Sequence, residues 1–196
     1  MHYGLTIKFK QMKNLLHILL FLPLFVLTLS CRNDDVPEDI HEHEEIEKLE
    51  VTLTNKNNAT DVQVIQFIGG ISDKAMNLKE GETYTVKLDF QVKHDDHYHS
   101  ANSEVLEEKD EHFITFEFAD SDISVKRSAD DIARTDGKKL GLSTDWTINS
   151  VTETGNVIIK LVHGAVSVDD NFPSANNQLG KTTGGETDVN AKVGLH

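Results

Sequence analysis

Cysteine is nearly absent from this 196-residue chain: Cys31 is the only one, so no disulfide can form within it. Tryptophan occurs once, as Trp146, and tyrosine three times, which leaves little aromatic surface for stacking sugars or enclosing a haem. Bases are scarce, 19 lysines and arginines against 33 acids, and the formal net charge of −14 repels nucleic acid and favours cations. The chain also lacks a G-x-S-x-G nucleophile turn, an H-E-x-x-H pair and a Gly-rich phosphate loop. No sequence context places a nucleophile beside a base, so the expectation is a protein that is not an enzyme.

What is present comes in blocks. Residues 1–30 open with Lys8, Lys10 and Lys13, continue as an apolar run from Leu15 to Leu29, and end on Ser30. The run is too short to span a bilayer comfortably and has the three-part form of a secretory signal peptide. The stretch LTLSC, residues 27–31, resembles the lipobox of bacterial lipoproteins. That resemblance implies cleavage before Cys31, lipidation of its thiol with palmitate-type chains, and attachment to a membrane through the anchor. Cleavage would remove three lysines and no acids, taking the net charge from −14 to −17. It would leave 166 residues, enough for one domain with a hydrophobic core.

Behind Cys31, residues 31–50 carry nine acids against Arg32 and Lys48, with too few apolar residues to fold. Residues 31–46 therefore read as a flexible acidic tether. An acidic stretch directly after a lipidated cysteine is similar to the export signal of Bacteroidota-type surface lipoproteins, which implies the outer face of the outer membrane. A periplasm-facing lipoprotein is the alternative.

From residue 47 to 196 the dominant signal is alternation with period two. In TYTVKLDFQV, Tyr84, Val86, Leu88, Phe90 and Val92 share one face, and Thr83, Thr85, Lys87, Asp89 and Gln91 the other. Similar stretches occur at 48–55, 61–68, 112–119, 122–128, 140–149, 156–163 and 186–195, separated by Asn57-Asn58, Gly69-Gly70, Gly81, Gly137, Gly155 and Gly184-Gly185. Only residues 128–137 hint at a helix. About eight short strands without a long amphipathic helix predict an all-β domain, an antiparallel immunoglobulin-like β-sandwich.

The chemistry is concentrated in histidines. KHDDHYHS, residues 93–100, holds His94, His97 and His99, with His112 downstream. His94, His112 and His163 each continue the inward parity of a strand at its end. A hairpin of 83–92 with 112–119 would bring His94 and His112 to the same end, flanking the loop with His97 and His99. Imidazoles among carboxylates suit zinc or another divalent transition metal, and an H-x-H pair in extended chain aims both rings to one side. The expected ligands are His94, His97, His99, His112 and His163. His41, His43, Asp95, Asp96 and Glu111 are accessory candidates, and Glu104, Glu107, Glu108 and Asp110 lie near enough to ligate or orient.

DGKKLGLSTDWTINSVTETGNVIIKLVH, residues 136–163, and GGETDVNAKV, residues 184–193, are similar to a family of small Bacteroidota lipoproteins with a DG-x-x-x-GL-x-T-x-x-T stretch, an L-x-H strand and a closing GGETD strand. Glu111, His112 and Phe113 match the family's E-H-x-F step, whereas Gly164-Ala165-Val166 departs from its usual continuation. The family is often labelled "type 1 periplasmic binding fold", and the resemblance implies a neighbouring TonB-dependent outer-membrane receptor as partner. The label itself conflicts with the strand pattern, because that α/β fold needs long helices in a longer, two-lobed chain. Two functions remain: a lipid-anchored envelope protein that binds zinc or a similar ion and assists such a receptor, or a non-catalytic module for protein, glycan or haem whose histidines are incidental.

Overall fold

The computed structural model describes residues 45–196; Cys31, His41 and His43 lie outside the described residues. The domain is all-β and antiparallel, as the alternation requires. Six long strands carry it: β1 (Ile46–Asn55), β2 (Asn58–Ile68), β4 (Thr83–His94), β6 (His112–Arg127), β7 (Ser143–His163) and β12 (Glu186–Gly194). Short pairings complete the set: β3 (Ile71–Ser72), β5 (His97–Ser100), β8 (Ser167–Asp169), β9 (Pro173–Ser174), β10 (Asn177–Gln178) and β11 (Lys181–Thr183). One short helix, α1 (Asn102–Glu107), precedes β6.

β7 explains how one sheet makes a sandwich. Its first residues pair with β4, from Lys87 opposite Ser143 to Thr83 opposite Thr147. Its last residues pair instead with β12, from Gly194 opposite Asn156 to Glu186 opposite His163. β6 follows β7 along both parts. The sheet therefore folds over at the middle of the β6–β7 hairpin, where the register slips between Ala119 and Ser121 and again between Asp122 and Ile123. Asp120 takes φ 53° there, and a side chain on Gly155 would meet Ser121 Oγ and the Thr152 carbonyl. Such irregularities bend a strand pair, which lets it serve both layers.

Between the layers lie the residues that alternation selects, including Leu49, Val51, Tyr84, Phe90 and Ile159, all fully buried. Trp146 stands at the centre, its ring edge-on to Phe116 and Phe118 at 5.7 and 5.1 Å, and its Nε1 donates to Thr144 Oγ1 at 2.9 Å. At one end the layers are tied together: Met76 N donates to Gly194 O, His196 N to Met76 O and Leu78 N to His196 O, at 2.7–2.9 Å. Toward the start of β1 and β12 they splay around a cleft of about 660 Å³ lined by Ile46, Leu49, Phe67, Ile68, Asp188 and Val189.

Four expectations need correction. The stretches 112–119 and 122–128 form one strand, as do most of 140–149 and 156–163, because a slip in register continues pairing where the polar residues read as a turn. β4 does not pair with β6; its partners are β1, β5 and β7. Residues 128–137 are not helical. Asp131 is buried there, and its carboxylate accepts from the N–H groups of Gly141 and Ser143 at 2.8 and 3.0 Å, which fixes the segment as a loop. The supposed loop after His94 is instead a tight hairpin followed by α1.

Buried Arg127 closes this side of the domain. Its Nη2 donates to the Ile114 carbonyl at 2.8 Å, its guanidinium lies 4.5 Å from the centre of the Phe113 ring, and burial pushes its pKa down to about 10. Gly180, at φ 80°, is required beside it, since a Cβ would strike Arg127 Nη2 and stand 2.9 Å from Phe113 Cε1.

Candidate metal centre

The β6–β7 register sets His112 directly opposite His163, the first residue of one strand against the last of the other. Their ring centres are 4.9 Å apart. Two imidazoles bound at about 2.0–2.1 Å to one tetrahedral ion have ring centres about 5 Å apart, so this pair has the required spacing. His112 is only 5% exposed, and His163 is half-buried.

The end of α1 adds a carboxylate. The Glu108 carbonyl accepts from the His112 backbone N–H at 3.1 Å and lies 3.2 Å from His112 Nδ1, which draws Glu108 against the imidazole. Its Oε2 is 4.0 Å from Nδ1. Glu108, His112 and His163 each offer a donor atom within 4.8 Å of the others, and among the described residues they are the one group of three or more His, Cys, Asp or Glu side chains that does so. A tetrahedral zinc needs its donors about 3.3 Å apart, so a shift of about 1 Å in half-buried side chains closes the gap.

Two further acids border the group. His163 Nε2 donates to Glu111 Oε2 at 3.0 Å. That bond holds the ring in the tautomer whose Nδ1 is the lone-pair donor, the usual task of a carboxylate behind a metal-bound histidine. Asp188 Oδ2 stands 3.6 Å from His112 Nε2, too long for a hydrogen bond and close to the edge of a zinc tetrahedron. Two imidazoles with one or two carboxylates form a borderline donor set that suits zinc.

Asp188 was not foreseen as a ligand. It occupies the position where the β12–β7 register shifts between Thr187 and Val189, and strand parity does not report such a position. The signal available was its place in GGETD, next in space to the L-x-H strand. Gly185 makes that approach possible: at φ 86° its missing Cβ would lie 2.6 Å from the His163 carbonyl.

Arg134, in the loop between β6 and β7, positions the centre. Its Nη1 donates to the carbonyls of Lys109, at 2.9 Å, and of His112, and its Nη2 donates to that of Asp110 at 2.8 Å. Asp110 in turn accepts from the Thr135 N–H and hydroxyl at 2.7 and 2.9 Å, bonds that hold its carboxyl below the ordinary 3.8. The guanidinium fork thus fixes the turn between Glu108 and His112. Arg134→Ala is expected to weaken zinc binding about 10- to 100-fold, the usual effect of removing support behind a ligand. Arg134→Lys should restore little, because an ammonium lacks the planar fork. A chelator-competition titration measures this, and unchanged affinity in both variants would show that the turn holds its shape without Arg134.

The remaining expected ligands lie elsewhere. His94, His97 and His99 are exposed on the β4–β5 hairpin with Asp95 and Asp96 at its tip, and none belongs to the Glu108 group. A scan of the chain against family models and searches of curated proteins and of solved structures found no match.

Proposed function

We propose that this protein is a lipid-anchored envelope protein that binds a divalent transition metal, zinc foremost, at Glu108, His112 and His163, with Asp188 completing the donor set and Glu111 orienting His163. The observation that carries this reading is the convergence of three donor side chains, from the turn after α1, from β6 and from β7, within 4.8 Å. The net charge of −14 raises the local cation concentration. The anchor rests on the signal-like residues 1–30 and Cys31. Presentation of the metal to a TonB-dependent outer-membrane receptor rests on the family resemblance alone.

Zinc titration of the full chain in detergent, followed by thermal unfolding, tests the metal reading. At free zinc 100-fold above Kd, binding to the folded state alone stabilises it by about 2.7 kcal/mol. A Tm indifferent to zinc would remove the centre from consideration. The anchor is checked separately by Cys31→Ser, expected to release the protein from the membrane fraction; retention there would contradict lipidation at that thiol.

A further inference from the structure

The hairpin made by β4 and β5 gathers three of the histidines that the Glu108 centre leaves out. Its register pairs His94 with His97 and Val92 with His99. Residues two apart on a strand share a face, so His94, His97 and His99 all stand on one side of the hairpin. The ring centres of His94 and His99 are 5.7 Å apart, within about 1 Å of the spacing that a shared ion imposes. Asp95, at φ 54°, allows the tight turn that faces His94 with His97, and Asp96 Oδ1 lies 3.1 Å from His97 Nε2. β4 meets β7 only at Ser143–Thr147, the start of that strand, whereas His163 ends it. The two sets of histidines therefore sit on different pairings of the sheet.

We propose that the β4–β5 hairpin is a second metal site, separate from Glu108, His112 and His163, which takes one late first-row divalent ion through the imidazoles of His94, His97 and His99. All three are exposed, with His97 75% exposed in its side chain, so rotation costs little and the hairpin imposes no tetrahedron. At a site that does not dictate geometry, affinity follows the intrinsic order of the ions, and copper(II) binds more tightly than zinc. The buried, carboxylate-bearing centre has a donor set suited to zinc instead. The hairpin is thus an exposed site open to exchange, with a metal preference different from that of the centre. This inference stands whether or not the Glu108 centre binds zinc.

The test uses the full chain with His2, His17, His41 and His43 each changed to alanine, so that the segment before residue 45 contributes no imidazole. Copper(II) and zinc are titrated by equilibrium dialysis, and the copper form is examined by electron paramagnetic resonance. His112→Ala with His163→Ala should retain one copper equivalent whose spectrum shows nitrogen coupling. In the His112→Ala, His163→Ala background, His97→Ala with His99→Ala, both at exposed positions, should weaken the remaining copper binding by about 100-fold, and made alone the same pair should leave zinc binding at the centre intact. Copper affinity unchanged by the hairpin substitutions in that background would overturn the inference, and so would loss of all copper in a folded His112/His163 variant. Copper bound by the hairpin in a protein that takes no zinc at Glu108 would uphold this site and refute the other.

Discussion

Changing His112 to alanine is expected to lower zinc affinity by more than about 100-fold, beyond what loss of a supporting residue usually costs. The imidazole is 95% buried between Glu108 and Asp188, and the ring of His163 lies against it. Without it, the remaining donors come from three separate segments with no shared partner at their centre. His163→Ala should act in the same direction. The double variant should lose little more than either single one, because the donors act as a unit and their effects are not additive. Glu108→Gln keeps the shape and removes the charge, so it isolates the carboxylate's contribution. The measurement is competition against a chromophoric chelator, with the circular dichroism of each apo variant as control for folding. Parental affinity in a folded His112→Ala protein would mean that His112 is no ligand and that its hydrogen bond to the Glu108 carbonyl is structural.

Trp146→Ala should cost about 3–5 kcal/mol of stability, the range for emptying an aromatic site in a packed core. The ring is fully buried, meets Phe116 and Phe118 edge-on, and ties Thr144 through its indole N–H. Removal leaves a cavity and deprives the fully buried Thr144 hydroxyl of its indole partner. The location sharpens the expectation. Trp146 pairs with Tyr84 on β4 and with Val125 on β6, so it locks the two neighbours of β7 to it on the near side of the bend. Urea denaturation at neutral pH gives the value, and a loss under 2 kcal/mol would show that the bend is held by its hydrogen bonds rather than by packing. On the proposed function, in which zinc binds the folded state, saturating metal should recover part of the loss by mass action.

The domain's all-β character was legible because alternation with period two is a local property. Tyr84, Val86, Leu88 and Phe90 announce a buried face wherever their strand sits in the sheet, and each is buried. The bend between β6 and β7 was not legible, since Asp120, Asp122 and Gly155 look like turn residues whether the pairing ends or merely slips. Six long strands with short additions thus replaced eight similar ones.

For the centre, the sequence determined which side chains could ligate and placed His112 and His163 at inward-facing strand ends. Imidazole and carboxylate chemistry is carried by the residue itself, and parity by its neighbours. Only the tertiary structure decided which of them meet. Pairing between strands far apart in sequence is set by the register of the whole sheet, and that register put His163 opposite His112, brought Asp188 beside it and left His94, His97 and His99 on another hairpin. A shift of one residue would turn every one of these side chains to the other face. The centre is therefore a consequence of the cooperative fit of the core, which no short stretch of sequence records.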